Sequence, residues 1–527
     1  MSVSVQPDEF ALMPTLGDIA RYHGRTRGDR VALSFEGRLT TFAEFDRHTN
    51  QVAQALIARG VRRGDCIAYL GKNSDHYFEL VIGAAKAGAF MAPIGWRLAA
   101  PEAAYIIANA DAKVLFVGPE CIETASQIKA PPPMIAMEAG AHGFTIYEAW
   151  RDGASANDLN VAVSPGDTAL LLYTSGTTGK PKGVMLTHAN ILRVREPDVK
   201  LGWNEWPEGE ASLVAMPIAH IGGTGWGIAG LFNGARGVVA REFNPMEALE
   251  FIERERIAKM FMVPAALQFV IRQPRAREID YSSLRYILYG ASPMPVDLLR
   301  ECMDVFQCKF CQVYGMTETT GTIVYLPPED HDPKGNDRMR SAGLPLPGVE
   351  ICILDSDGNR LGPNQIGEIS TRSAGNMKGY WRNDGATAST IDGEGWLRTG
   401  DAGYLDEEGY LYIQDRIKDM IISGGENIYP AEVENAIHGH PAVAEVAVIG
   451  VPDDTWGEAV KAIVVPKPGA AHDAADIIAF AKSRIAHFKT PKSVDFLDRP
   501  LPRSASGKIL RRELREPYWK GRERRVN

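Results

Sequence analysis

The sequence predicts an α/β protein built on largely parallel sheets, followed by a β-rich stretch and a smaller α+β unit. Three observations carry this. Strand-like apolar runs alternate with helical periodicity through the first third of the chain, and the alternation resumes from Thr168 to about Gly348. Between Gly348 and Asp415 short strands are separated by Asp357-Gly358, Asp384-Gly385, Asp392-Gly393 and Glu408-Gly409, which read as turns. Mixed α and β patterns return after Arg416. The predicted division is therefore residues 1–416 and residues 417–527.

Each element has a local reason. Val31–Phe35 and Arg38–Thr41 flank Glu36-Gly37, a hairpin signal. Helical periodicity runs over Thr41–Arg59 and stops at Gly60. Cys66–Leu70 reads as a buried strand, Asp75–Gly88 as a helix and Phe90–Ile94 as a strand. A helix opens at Pro101, and Lys113–Val117 is the next strand. Val296–Phe306 reads as a helix running into the strand Cys308–Val313. Beyond the division, Ala442–Gly450 and Ala459–Val465 form two apolar runs, and a helix is expected near Asp476–Ala486. Leu213–Ala235 carries no formal charge, yet Pro217, His220, Asn233 and many glycines break it up. It is expected to split into a strand, a Gly-rich turn and a short helix inside the protein rather than to cross a membrane.

Composition narrows the function. Of 527 residues, 45% are hydrophobic and 23% charged, with 57 basic and 66 acidic side chains and a net charge of −9. A general nucleic-acid binder would show a basic excess instead. Met1–Pro14 has neither a basic nor an apolar stretch of a secretory signal, so the expected compartment is the cytoplasm. Lys508–Asn527 carries eight basic and three acidic residues, which leaves a weak peripheral contact with an anionic membrane surface open. Six cysteines in a chain this long do not form a disulfide framework. Cys308 and Cys311 make a CxxC with Cys302 nearby, but no second pair completes a zinc set, and buried structural thiols are the better reading.

Four motifs carry chemistry. The first is Tyr173-Thr-Ser-Gly-Thr-Thr-Gly-Lys-Pro-Lys-Gly183, between two apolar strands. Gly176, Gly179 and Gly183 permit a tight turn with exposed N–H groups, while Thr174, Ser175, Thr177, Thr178, Lys180 and Lys182 supply hydroxyls and ammoniums. Such a loop is suited to a polyphosphate. It is not a Walker A loop, because the spacing fails and a strand follows instead of a helix. The second is Tyr314-Gly-Met-Thr-Glu-Thr319 after a strand: an aromatic face for a purine, then Glu318 as an oxygen donor for Mg²⁺. The third joins Asp401, in a Gly-flanked turn, to Arg416; together they suit a ribose and a phosphate. The fourth, Leu501-Pro-Arg-Ser-Ala-Ser-Gly-Lys508, ends a small-residue loop on an exposed ammonium that can meet a developing anion.

In this order and at these separations the four motifs resemble the AMP-forming acyl-activating (adenylate-forming) superfamily, and within it the acyl-CoA synthetases. The resemblance covers nearly the whole chain. It is most specific at Tyr173–Val184 and at Ser423-Gly-Gly-Glu-Asn-Ile-Tyr-Pro430. It implies a large N-terminal domain of two α/β subdomains plus a distorted β-barrel, with a small mobile C-terminal domain swinging on a hinge. It also implies ATP, Mg²⁺ and coenzyme A as reactants. By position, Thr174, Ser175, Gly176, Thr177, Thr178 and Lys182 resemble the phosphate loop. Gly290, Ala291, Ser292, Tyr314, Gly315, Met316 and Ile413 resemble the adenine site. Thr317 matches a phosphate position, Glu318 and Thr174 the metal, and Asp401 and Arg416 the ribose contacts. Lys418 matches the hinge, Lys508 the adenylation lysine, and His220 the gate between the acyl pocket and the thiol channel. Ser423, Gly424, Gly425 and Glu426 resemble the pantetheine-tunnel loop; Trp456, Phe488 and Lys492 fall where some relatives hold the CoA nucleotide.

The implied chemistry has a plain rationale. A carboxylate must lose oxide to react, which makes it a poor electrophile. Attack on the α-phosphorus of ATP turns that oxygen into an AMP leaving group and releases pyrophosphate. A thiol then displaces AMP. Lys508 would have to leave and Gly424-Gly425 arrive between the two steps, which a rotation at Lys418 would achieve.

Two rivals are weaker. Gly225-Trp-Gly227-Ile-Ala-Gly230 formally fits the GxGxxG of a dehydrogenase, with Glu242 downstream, but a lone GxGxxG is a weak signal. An adenylating enzyme that loads a carrier protein shares the first step. Pro217-Ile-Ala-His-Ile-Gly-Gly223 has no Asp to hold an α-amine, so amino acids are disfavoured, and no carrier segment follows in the chain. The acyl pocket is expected to draw on His220–Leu231, Met262–Phe269, Tyr289–Ser292 and Gly315–Gly321. These are apolar or neutral apart from His220 and Glu318. The expected partner is thus a small-molecule hydrophobic carboxylic acid, a fatty acid first and an aryl or alicyclic acid second. The sequence leaves a homodimer open.

Overall fold

The structure, a computed structural model, describes residues 9–138, 143–159, 161–174, 181–193, 201, 206–207, 209–416, 419–423, 426–503 and 509–520. Four sheets organise them. The first has nine strands in the order Leu344–Pro345, Gly321–Leu326, Lys309–Met316, Tyr286–Gly290, Ile257–Met262, Ala211–Val214, Arg236–Val239, Val31–Phe35 and Arg38–Thr41. Its interior is parallel, from Lys309–Met316 through to Val31–Phe35. The second has eight strands in the order Gly379–Tyr380, Lys182–Thr187, Thr168–Thr174, Phe90–Gly95, Cys66–Gly71, Ala112–Val117, Met134–Ala136 and Thr145–Ile146. The sequence-predicted α/β layers are these two sheets and the helices on them.

The helix Asp75–Ala87 lies in the largest core cluster, and all 13 of its residues are buried. Ser74 caps it, and Gly88 ends it at φ +74, a left-handed position that a Cβ would strain. Its buried Glu79 is held by an ionic network. His48 Nδ1 lies 2.8 Å from Oε1, while the Arg151 guanidinium and the Tyr147 hydroxyl each donate to Oε2 at 2.8 Å. Burial opposes that charge, but the His48 hydrogen bond and the charges of His76 and Arg151 win, and the carboxyl is pulled down to about 2.

The third sheet is antiparallel, in the order Glu350–Leu354, Gly367–Arg372, Leu397–Leu405, Leu411–Arg416, and is the β-rich stretch expected from its turns. The fourth is built from residues 421 onward. The long antiparallel pair Val443–Asp453 and Gly457–Pro466 is flanked by the hairpin Ile421–Ser423/Glu426–Ile428 and by Ser493–Phe496. The helices Pro430–His438 and Ala474–Lys482 cover a separate core cluster that includes Val433, Ile437, Val448 and Ile477. A large N-terminal part followed by a small C-terminal one is the arrangement that the resemblance implied.

Two local expectations are corrected. The glycines after His220 do not form a turn. Residues Ile221–Phe232 are one helix of 12 residues, so Gly225, Gly227 and Gly230 lie inside it and the dehydrogenase fingerprint has no loop to act through. Close packing explains the glycines: a Cβ on Gly227 would sit 2.2 Å from the Phe78 ring, and one on Gly223 would sit 2.3 Å from the Pro217 carbonyl oxygen. Likewise Asp384-Gly385 opens the short helix Asp384–Thr390, because the Asn383 side chain accepts from the Ala386 amide and caps it. The cysteines are thiols: Cys302 and Cys311 are buried, and burial pushes the Cys302 thiol up to about 12. No group of three metal-ligating side chains occurs among the described residues.

Candidate active site

The site lies at the carboxyl ends of the parallel strands of the first sheet, the usual place for a ligand in an open α/β sheet. Strand Tyr286–Gly290 ends at Gly290, where a Cβ would meet the Val313 carbonyl oxygen at 2.0 Å. The chain then turns through Ala291, held at φ +66, and Ser292. The neighbouring strand Lys309–Met316 carries Tyr314 and Gly315 and runs into a single 3₁₀ turn, Thr317–Thr319. Gly315 also approaches backbone closely, since a Cβ there would lie 1.6 Å from the Gly321 carbonyl oxygen. The Met316 amide donates to Thr319 Oγ1 at 3.0 Å, which fixes the turn and the direction of Glu318.

The first three sheets then contribute to one cluster. From the second sheet, Thr174 Oγ1 donates to Glu318 Oε1 at 3.3 Å. Tyr380, on the edge strand beside Lys182–Thr187, donates its hydroxyl to the same oxygen at 2.9 Å. The Lys182 ammonium lies 4.1 Å from the centre of the Tyr380 ring. Glu318 is buried, and its carbonyl oxygen accepts from the Met377 amide at 2.7 Å. Burial and the Glu318 charge raise the Tyr380 phenol, so it stays a proton donor.

The second half of the cluster joins the first sheet to the third. The Tyr314 hydroxyl donates to Asp401 Oδ2 at 2.8 Å. Asp401 pairs in register with Arg416, whose Nε lies 3.5 Å from Oδ1. Burial, and then the Asp401 carboxylate, push the Tyr314 phenol well above its usual value. Ile413 shares a small apolar cluster with Tyr314. The adenine-side and ribose-side residues named from sequence are thus brought together, and Tyr314 bridges them.

Other expected site residues are placed as follows. His220 is the N-cap residue of Ile221–Phe232, with extended backbone at φ −120 and ψ 152. Ser423 pairs with Glu426 across its hairpin and with Gly457, which sets Trp456 beside that hairpin. Trp456 and Phe488 are large exposed apolar side chains of the C-terminal domain, and Lys492 is exposed. Ser175, Gly176, Thr177, Thr178, Lys180, Lys418, Gly424, Gly425 and Lys508 lie outside the described residues. Sequence reasoning missed Tyr380. Its strand is two residues long, Gly379–Tyr380, too short for any periodic signal; the one hint was the aromatic pair Tyr380-Trp381 after a glycine.

The donor set suits a hard cation. Magnesium takes carboxylate and hydroxyl oxygens and completes its shell with phosphate oxygens. Buried Glu318 beside the Thr174 hydroxyl offers such oxygens. No described helix is long and apolar enough to cross a membrane. The basic helix Arg511–Trp519 docks on the fourth sheet: Trp519 Nε1 donates to the Gly450 carbonyl at 2.9 Å, and Arg511 forms a fork on Glu434.

Residues 20–381 match the AMP-binding enzyme family, and residues 432–508 match the AMP-binding enzyme C-terminal domain. The chain is 40% identical over 518 residues to a fatty acid–[acyl-carrier-protein] ligase, ScoC, of Streptomyces coeruleorubidus, covering 98% of both. It is 38% identical to a feruloyl-CoA synthase of an Amycolatopsis species, covering 93% of this chain and 96% of that one. The o-succinylbenzoate CoA synthetase of Bacillus subtilis, solved with an acyl-adenylate intermediate, superposes with a TM-score of 0.81 at 32% identity, covering 94% of this chain and 97% of that one. The chain belongs to the AMP-binding enzymes, as an acid–thiol ligase of the AMP-forming, adenylate-forming superfamily.

Proposed function

We propose that the enzyme activates a hydrophobic carboxylic acid with ATP, through an acyl-AMP intermediate, and passes the acyl group to the thiol of coenzyme A. The observation that carries this is the convergence of Thr174, Lys182, Glu318 and Tyr380 on one side and Tyr314, Asp401 and Arg416 on the other. One set presents hydroxyls, an ammonium and a carboxylate, as a triphosphate with its cation requires. The other presents an aromatic face and a carboxylate–guanidinium pair, as a nucleoside requires.

In this reading Tyr314, Gly290, Ala291, Ser292 and Ile413 bracket the adenine, and Asp401 accepts from the ribose hydroxyls with Arg416 alongside. Thr174, Lys182 and the loop Ser175–Thr178 hold the phosphates, and Thr317 adds a hydroxyl. Glu318 and Thr174 hold the Mg²⁺, which when bound offsets charge on the phosphate oxygens. Tyr380 keeps the Glu318 carboxylate oriented by donating to it. Lys508 meets the charge that develops as pyrophosphate leaves. The division at residues 416/417, with Lys418 as hinge, lets the C-terminal unit exchange Lys508 for the Ser423–Glu426 hairpin before thiol attack. Trp456, Phe488 and Lys492 would hold the CoA nucleotide, and His220 would gate the acyl pocket against the thiol channel.

A second acceptor is a carrier protein's phosphopantetheine thiol, favoured by the likeness to the acyl-carrier-protein ligase along nearly the whole chain. The test is direct. Purified enzyme with Mg-ATP and a mixture of lipophilic acids should release pyrophosphate and, with coenzyme A, give an acyl-CoA by mass. Absence of pyrophosphate with every acid would sink the proposal. An acylated carrier with no acyl-CoA would decide for the second acceptor.

A further inference from the structure

The helix Ile221–Phe232 begins at His220 and runs along the face of the first sheet. Gly222 and Trp226, four residues apart, share one side of it. That side meets the sheet: a Cβ on Gly222 would lie 2.8 Å from the Phe261 ring, and Trp226 and Phe261 pack in one cluster against Leu288, Cys311 and Val313. At the upper end of this face Gly222 makes room for the Phe261 ring, Gly290 and Gly315 let neighbouring backbone approach, and Gly321 meets Ile221 at ordinary contact distance. About one turn beyond Gly222, the Trp226 indole packs between the helix and the strands at the level of Leu288 and Val313, below Gly290 and Gly315. Its Nε1–H donates to the Leu213 carbonyl at 3.0 Å, which fixes the ring.

A second indole backs the first. Trp206 is buried, with its ring centre 5.9 Å from that of Trp226. The ammonium of fully buried Lys259 stands 4.1 Å from the Trp206 ring centre and pins it from behind. The six steps from His220 to Trp226 span about 9 Å of helix rise. That depth takes one aromatic ring or a chain of roughly six to eight carbons.

We propose that Trp226, backed by Trp206, is the floor of the acyl pocket and restricts this ligase to compact hydrophobic acids, aryl or short- to medium-chain, against long-chain fatty acids. This rests on the ligase reading above and names its substrate class. Trp226 acts by excluded volume and takes no part in the reaction.

The test compares kcat/KM for AMP release over benzoate, a hydroxycinnamate and the straight-chain acids C4 to C16, in the wild type, Trp226→Ala and Trp226→Leu. The wild type should peak at aryl or C6–C8 acids, with hexadecanoate at least 100-fold poorer. Trp226→Ala should raise dodecanoate at least tenfold and lower benzoate, and Trp226→Leu should move the profile the same way by less. Should Trp226→Ala fail to fold, the wild-type profile and Trp226→Leu still decide. A wild type that uses hexadecanoate as well as octanoate overturns the floor while leaving the ligase reading intact, as does a profile unmoved by either variant. No AMP release with any acid overturns both.

Discussion

Asp415, the penultimate residue of the last strand of the third sheet, accepts through Oδ2 from the Ala431 amide at 2.9 Å. Ala431 lies in the first turn of the helix Pro430–His438, so one carboxylate reaches across the proposed hinge to a helix N-terminus of the C-terminal unit. Arg511, which forks onto Glu434 of the same helix, stands 3.9 Å from the other oxygen. Rotation at Lys418 would have to part Asp415 from Ala431.

This carboxyl sets a pH dependence of known sign. Burial raises it from 3.8 to about 6, against the pull of Arg511. The native state therefore holds its proton more tightly than the unfolded chain. The stability it lends is fully present below pH ~4 and is lost as pH rises to ~6. Asp415→Asn keeps an oxygen for the Ala431 amide and removes the titration. Its stability relative to wild type should grow between pH 4 and 6 and stay level above that, as read by urea melts across the window. A constant difference would count against this account.

Glu79 works the other way. Its carboxyl, held down to about 2 against an ordinary 4.5, contributes stability above pH ~4.5 that fades as pH falls toward 2. Removing the charge leaves the buried Arg151 guanidinium only the exposed Asp152 carboxylate as an ionic partner. Glu79→Gln should therefore cost about 3–5 kcal/mol at pH 7. The gap to wild type should close by pH ~2, and equal melts at pH 7 would refute this.

At the phosphate end, Glu318→Gln retains one acceptor oxygen, and Thr174 and Tyr380 both donate to a single oxygen, so melting should hardly move. Pyrophosphate exchange should fall by about 100-fold or more, the usual scale for losing an electrostatic contribution in a closed site. Exchange within a few-fold of wild type would exclude Glu318 from the metal position.

At the nucleoside end, Tyr314→Phe deletes the donor to Asp401 and leaves the ring. A net hydrogen bond is worth about 1 kcal/mol, so KM for ATP should rise roughly fivefold. The KM for the acid should stay put. A rise in both would mean that the hydroxyl supports the fold rather than the nucleotide.

Much of this was legible in the sequence where local chemistry is self-sufficient. Glu36-Gly37 turns the first hairpin with both residues at positive φ, as the dipeptide foretold. Val296–Phe306 is a helix at the predicted bounds, and Asp401 and Arg416 do face each other. The failures arose where a distant partner decides. The glycines after His220 read as a turn, because nothing local says that Phe78 and Pro217 crowd the helix from outside. Tyr380 gave no periodic signal because a two-residue edge strand owes its place to the strand Lys182–Thr187. The Tyr314 hydroxyl on Asp401 joins residues from two different sheets, and no one-dimensional pattern records that.

Gly227 allows the Ile221–Phe232 helix to rest backbone-first on Phe78, and Thr224 hydrogen-bonds Tyr77 at 2.8 Å on the same side. The wall that carries His220 and Trp226 is therefore anchored to Asp75–Ala87, a helix buried along its whole length. A wider cavity could not be obtained by sliding that wall outward. Diversification of acid preference, by selection or by an engineer, has to proceed by trimming side chains that project from a stationary surface.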